Sequence, residues 1–173
     1  MLTTTQYSVP SRPNRMRLSG YDYSSAGLYF VTICSSQKLC TFGTISEFQC
    51  SVLPLGALIE QCWLSIPDWF PEVTLDQFIV MPNHFHGILQ LLPLEWRKGK
   101  DTCGMGLPTV ISSFKSGVTR RAKESQLLSE GSVWQRGYHD RIIRSEAALM
   151  QIRRYIVDNP AKWQMDKYYR SGF

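Results

Sequence analysis

A chain of 173 residues is long enough to bury one apolar core, and 43% hydrophobic with 19% charged residues excludes wholesale disorder and fibrous repeats. With 19 Lys and Arg against 14 Asp and Glu, the net charge is +5 and the pI near 9, which favours polyanionic partners. Apolar runs break at Pro, Asn, His or charge well short of ~20 residues, and Met1 to Arg17 lacks an apolar core, so neither membrane insertion nor secretion is expected and the cytosol is the predicted compartment.

One domain spanning 1–173 is expected, opening with a basic segment, 1–19, that contains Arg12, Arg15 and Arg17. Leu28 to Ser35 is rich in β-formers and predicts a first buried strand. Leu55, Leu58, Ile59, Cys62, Trp63 and Ile66 have the spacing of an amphipathic helix that Pro67 stops. Thr74 to Val80 and Phe85 to Leu92 predict a hairpin joined through Met81, Pro82 and Asn83. Residues 98–106 have the glycine content of a flexible connection, and no GxxxxGK[ST] phosphate loop occurs. From Leu107 to Lys123, Val110, Ile111, Phe114, Val118 and Ala122 mark the apolar face of a helix whose remaining surface carries Lys115, Arg120, Arg121 and Lys123. Val133 to Arg144 predicts an extended segment kinked at Gly137. Ser145 then caps a last helix, with Leu149, Ile152 and Ile156 as its buried stripe and Pro160 ending it near Asn159. The sum is α+β, roughly βαββαβα: a ferredoxin-like antiparallel sheet with helices mainly on one face. The five cysteines, Cys34, Cys40, Cys50, Cys62 and Cys103, form no CxxC pair and are expected to be reduced.

Within this frame His84-Phe85-His86 is the sharpest chemical signal. A strand repeats its side-chain direction every two residues, so both imidazoles face one side and Phe85 the other. Neutral imidazoles bind divalent cations, although an isolated pair of this kind is as often satisfied by hydrogen bonds alone. Zinc is disfavoured, because HExxH and CxxC are absent and the one other histidine is His139. A carboxylate-rich two-metal site is disfavoured too, since no acidic residue lies between Asp76 and Glu95. Tyr155 lies at the edge of the last helix's apolar stripe, and Asn159, one turn on, shares its face. Tyr155 is thus a candidate nucleophile and Asn159 a candidate third metal ligand beside His84 and His86. His139 and Asp140 are candidates for proton transfer, with a plain structural pairing favoured.

Four stretches in this order, GYDYSSAGLYFVTIC (20–34), FIVMPNHFHGIL (78–89), VWQRGYHDRIIR (133–144) and YIVDNPAKW (155–163), resemble the IS200-like single-tyrosine transposases of the HUH class, above all their REP-associated branch. The resemblance spans nearly the whole chain. It implies His84 and His86 as metal ligands with catalytic Tyr155, Asn159 completing a site for Mg2+ or Mn2+, and a 5′-phosphotyrosine intermediate in the cleavage and rejoining of single-stranded DNA. Related enzymes more often place Gln where Asn159 stands. Hairpin-forming repeats are the expected DNA partner, with a homodimer allowed and no membrane involved. Arg12, Arg15, Arg17, Lys115, Arg120, Arg121, Arg136 and Arg141 are candidate phosphate contacts, and Tyr21, Tyr23 and Tyr138 candidate base contacts. A domesticated DNA-binding protein that no longer cuts, a replication-initiator-like nickase and a metal-binding hydrolase are the alternatives.

Overall fold

Strand β1 (Gly27–Cys34) carries Tyr29, Val31 and Ile33 on one side and Leu28, Phe30 and Thr32 on the other, both apolar enough to be covered, which places it inside the sheet. The computed structural model describes residues 18, 20–96 and 106–169. Within them β1 lies between β5 (His84–Leu91) and β6 (His139–Ile143), and β4 (Val73–Met81) closes the far edge, in the order β4-β5-β1-β6 with every pair antiparallel. This is the order of a ferredoxin-like plait, as the pattern of elements predicts. Segments 1–17 and 97–105, and with them Arg12, Arg15, Arg17 and Cys103, lie outside the described residues.

Helix α1 (Pro54–Leu64) and helix α3 (Leu107–Glu124) cover one face of the sheet. Ile59 and Trp63 of α1 and Val110, Ile111, Phe114 and Val118 of α3 pack there with Val31, Phe85 and Leu89. Helix α4 (Glu146–Asp158) covers the other, burying Leu149, Ile152 and Ile156 against Ile88 and Ile143. Each such side chain contributes roughly 1.5–3 kcal/mol on burial, so the apolar stripe determines which side of the sheet α4 occupies. The Ser145 hydroxyl caps it by accepting from the Ala148 amide at 3.2 Å, as its position in sequence predicts.

Four features depart from the sequence reading. A small hairpin, β2 (Gly43–Ser46) and β3 (Gln49–Val52), and a single-turn helix α2 (Ile66–Trp69) were not anticipated, each being too short to show a period. The chain also continues past Pro160 as a 3-10 helix (Pro160–Met165) that folds back over the sheet. The predicted extended segment 133–144 is interrupted: Trp134 bridges Ser35, and regular pairing resumes only at His139. Gly137 sits between with φ +80°, the left-handed conformation that makes the kink. The Lys115 ammonium donates to the Gln135 and Gly137 carbonyls at 2.8 and 2.7 Å, satisfying groups the kink removes from the ladder. Among the described residues Cys34, Cys40, Cys50 and Cys62 are free thiols, and no helix is long and apolar enough to cross a membrane.

Candidate functional site

The β4–β5 turn at Pro82-Asn83 delivers His84 and His86 to the sheet face that α4 covers, with Phe85 facing α1 and α3. In the ladder His84 pairs with Cys34 and His86 with Thr32, so the site lies at the centre of the sheet. Both rings are buried, 4.5 Å apart between centroids and inclined at 71°.

Hydrogen bonds orient each ring. The Asn83 amide donates to the Tyr168 carbonyl at 2.8 Å and the Lys38 carbonyl at 3.2 Å, which turns its Oδ1 toward His84 Nδ1 at 3.0 Å. That oxygen only accepts, so His84 Nδ1 carries the proton and Nε2 presents a lone pair. His84 Nε2 is buried and has no partner among the described residues. His86 Nδ1 lies 2.8 Å from the Thr32 hydroxyl, and its Nε2 lies 3.3 Å from the Tyr155 hydroxyl. Burial, reinforced by the Lys167 charge, pulls the His84 pKa down to about 3. Burial foremost, then the charges of His84 and Lys167, holds His86 well below the usual range. Both imidazoles are therefore neutral at pH 7, the form that ligates metals.

Helix α4 brings Tyr155 and Asn159 to this spot, as one helical turn requires; Asn159 still has helical geometry (φ −59°, ψ −44°). Tyr155 is 39% exposed and so open to a ligand, whereas Asn159 is buried with its Oδ1 unpartnered among the described residues. Burial raises the Tyr155 pKa, the Asn159 side chain lowers it, and a hydrogen bond and the negative charge of Asp166 raise it again.

Asp166 is the residue that sequence reasoning missed. One ligand atom from each of His84, His86 and Asp166 lies within 4.8 Å of the others. The carboxylate sits just past the 3-10 helix, and its Oδ1 accepts from the Tyr168 amide at 2.7 Å. Carboxylates near the histidines in sequence are absent, as noted above; this one arrives from 80 residues downstream, in a stretch whose periodicity carries no signal. His84 Nε2, His86 and the Asp166 carboxylate make a mixed N/O donor set that could hold a metal ion, and the buried Asn159 Oδ1 is a further oxygen without a partner among the described residues.

The predicted phosphate contacts are dispersed. Lys115 is occupied by the kink at Gly137, and Arg120 pairs with Glu124 at 3.2 Å. Arg121 reaches the Cys62 thiol on the α1/α3 side, remote from the histidines. Arg136 is exposed before β6, and Arg141, exposed and paired in register with Phe30, shares the histidine face. Of the tyrosines, Tyr23 and Tyr138 are buried, and the Tyr23 hydroxyl donates to Asp140 at 2.7 Å. His139 and Asp140 are adjacent on β6; burial foremost, then the Lys167 charge, lowers the His139 pKa, and the Asp140 charge opposes this. The cation whose charge acts on both His84 and His86 is instead Lys167, whose ammonium lies 4.7 Å from the Tyr168 ring centre.

No protein-family model matches the chain. It is 38% identical to an uncharacterized protein of Haemophilus influenzae over 96% of its own length and 98% of that protein's. A second Haemophilus influenzae protein, provisionally named a REP-associated tyrosine transposase, is 24% identical over 82% of the chain and 74% of its own length. Among solved structures, a REP-associated tyrosine transposase bound to a REP hairpin superimposes with a TM-score of 0.59 at 18% identity, over 84% of this chain and 74% of that one. A Deinococcus radiodurans protein provisionally named a transposase gives 0.52 at 19% identity, over 81% and 94%.

Proposed function

The chain belongs to one family with the uncharacterized Haemophilus influenzae protein and has the fold of the REP-associated tyrosine transposases; on that premise we propose that it is a metal-dependent, single-strand DNA transposase that cuts and rejoins DNA through Tyr155. The observation that carries this reading is the Tyr155 hydroxyl, 3.3 Å from His86 Nε2, at the open edge of a site where two neutral imidazoles meet a carboxylate. His84 and His86, with Asp166 and Asn159 as the oxygen donors, would hold Mg2+ or Mn2+, which when bound supplies positive charge to a phosphate oxygen.

Tyr155 supplies the nucleophile. Its phenol oxygen bonds to phosphorus, the bond from phosphorus to the 3′ oxygen breaks, and that oxygen leaves as a 3′ hydroxyl after taking up a proton. Asp166, beside the phenol, is the carboxylate placed to accept the phenolic proton, while Asn159 favours the phenolate. The product is a 5′-phosphotyrosine. Because that linkage remains a phosphodiester, a free 3′ hydroxyl can attack it, release Tyr155 and reseal a strand without ATP. This fits strand transfer better than hydrolysis. The single-strand substrate and its hairpin context come from the REP hairpin held by the structural relative, and from access to a site recessed beside a sheet.

The test is covalent capture. With Mn2+ and a hairpin carrying a single-stranded flank, the protein is expected to form a complex stable to denaturant that retains the DNA 3′ of the break, joined through its 5′ phosphate, and releases the part 5′ of it with a free 3′ hydroxyl. Tyr155→Phe is expected to form none; an adduct in that variant would falsify the assignment.

A further inference from the structure

We infer that the cleft between the α1–α2 turn and α3, on the sheet face away from the histidines, is a second nucleic-acid contact that seats an unpaired base on Trp69 with flanking phosphates on Arg120 and Arg121. It rests on the nucleic-acid substrate proposed above but not on the tyrosine chemistry. The cleft measures about 350 Å³, the size of a small-molecule pocket, and its walls include Trp69, Phe70, Gly117, Arg120 and Arg121. Among the described residues no carboxylate lines it.

Three observations on different elements converge. Trp69, at the end of α2, is 72% exposed, so its indole offers a face to solvent at the mouth of the cleft. Arg121 finds no carboxylate among the described residues; its recorded partner is the Cys62 thiol at 3.5 Å, a weak acceptor that leaves its charge uncompensated. Gly117 is the third. It lies inside α3 with ordinary helical geometry, where glycine costs ~1 kcal/mol relative to alanine, and a Cβ built there meets nothing within 4 Å. Among the described residues, neither backbone conformation nor packing requires this glycine. The bare helix surface it leaves faces the cleft, at the place where a flat ring lying against Trp69 would approach the backbone.

The chemistry selects the occupant. An exposed indole stacks on any base, and guanidinium groups pair with phosphate, so an aromatic face beside an uncompensated Arg121, with Arg120 held only by an exposed pair to Glu124, suits a nucleic-acid strand. Helix α3 adds Lys123 to this ridge, and Glu124 is its one acidic residue. An apolar partner side chain would match Trp69 and Phe70 but leave both arginines unused.

The experiment measures affinity by fluorescence anisotropy in a Tyr155→Phe background, using a labelled hairpin with an unpaired flank. Trp69→Ala, and Gly117→Leu, which fills the cleft, are each expected to weaken binding about tenfold. Arg121→Ala is expected to reduce the slope of log affinity against log salt by about one. Gly117→Leu should melt no lower than the parent, because leucine is the better helix former and the space is open, so lost binding cannot be ascribed to unfolding. Unchanged affinity in Trp69→Ala and Gly117→Leu overturns the inference. So does a change of oligomeric state in either variant, which would indicate a protein partner, or competition by free dTMP at micromolar concentration, which would indicate a nucleotide pocket. Normal adduct formation by the parent with neutral Trp69 and Gly117 variants sinks this inference alone; an absent adduct with Trp69-dependent binding sinks the transposase reading alone.

Discussion

Tyr155 is a phenol held against three groups that act on its proton in different directions. Burial and Asp166 keep it protonated, Asn159 favours ionisation, and His86 Nε2 is within hydrogen-bond reach. An unassisted phenol, with a pKa of ~10, is a poor nucleophile at neutral pH, so the proposed reaction depends on how exactly its neighbours are held. Asn83 is decisive there, because its amide, fixed by two carbonyls, sets the tautomer of His84. Asn83→Ala is expected to weaken Mn2+ binding, followed by calorimetry, by roughly 10–100-fold, the usual cost of removing a partner of a metal-ligating histidine. Affinity equal to that of the parent would show that the tautomer needs no such support. His84 and His86 were legible in the sequence because alternation along a strand is local. Asp166 was not, because its approach depends on how the chain turns after α4.

For the elements, the question is how α4 is held with Tyr155 over His86. Its apolar stripe sets the face but permits sliding along the sheet; a directional contact is needed to set the register. The β4 ladder shifts register between Leu75 and Phe78, and there Asp76 accepts from Arg153 Nε at 2.9 Å and from a terminal nitrogen at 2.6 Å. Such a paired fork fixes orientation as well as distance. Asp76→Asn is expected to lower the single-turnover cleavage rate by roughly tenfold or more, since small displacements of a nucleophile are costly, with DNA affinity unchanged. The same pair predicts a pH effect. The Arg153 hydrogen bond lowers the Asp76 pKa below its ordinary value, so its contribution to stability is complete above pH ~4 and is lost as pH falls through the folded pKa. Urea midpoints of the parent should therefore fall more steeply below pH ~4 than those of Asp76→Asn; parallel curves would remove the clamp. In β5, a Cβ at Gly87 would come within 2.6 Å of the Trp63 ring and 2.8 Å of Phe85, so Gly87→Ala is expected to cost about 1–3 kcal/mol in urea unfolding. An unchanged midpoint would mean that Trp63 moves aside freely.

Across the whole molecule the sheet separates two surfaces, a histidine-bearing one under α4 and the C-terminal 3-10 helix, and a helical one on α1 and α3 whose basic residues all lie on α3. With a net charge of +5, the proposed binding of phosphates through both surfaces predicts a loss of at least tenfold in affinity for single-stranded DNA between about 50 and 200 mM salt; a flat salt response would exclude phosphate-led binding. The elements of this architecture were readable from residue pattern, because strand alternation, helical spacing and the Ser145 cap act between near neighbours. The β2–β3 hairpin and α2 escaped it, being shorter than the window in which a period declares itself. The sequence by itself determined the order of the four main strands and the three long helices, the common direction of His84 and His86, and the shared face of Tyr155 and Asn159. Only the tertiary structure decided that α4 lies over the histidine face, that Asp166 joins the site, and that Arg121 turns away toward Cys62. Those outcomes depend on contacts between segments far apart in the chain, whose energies belong to packing and have no local signature.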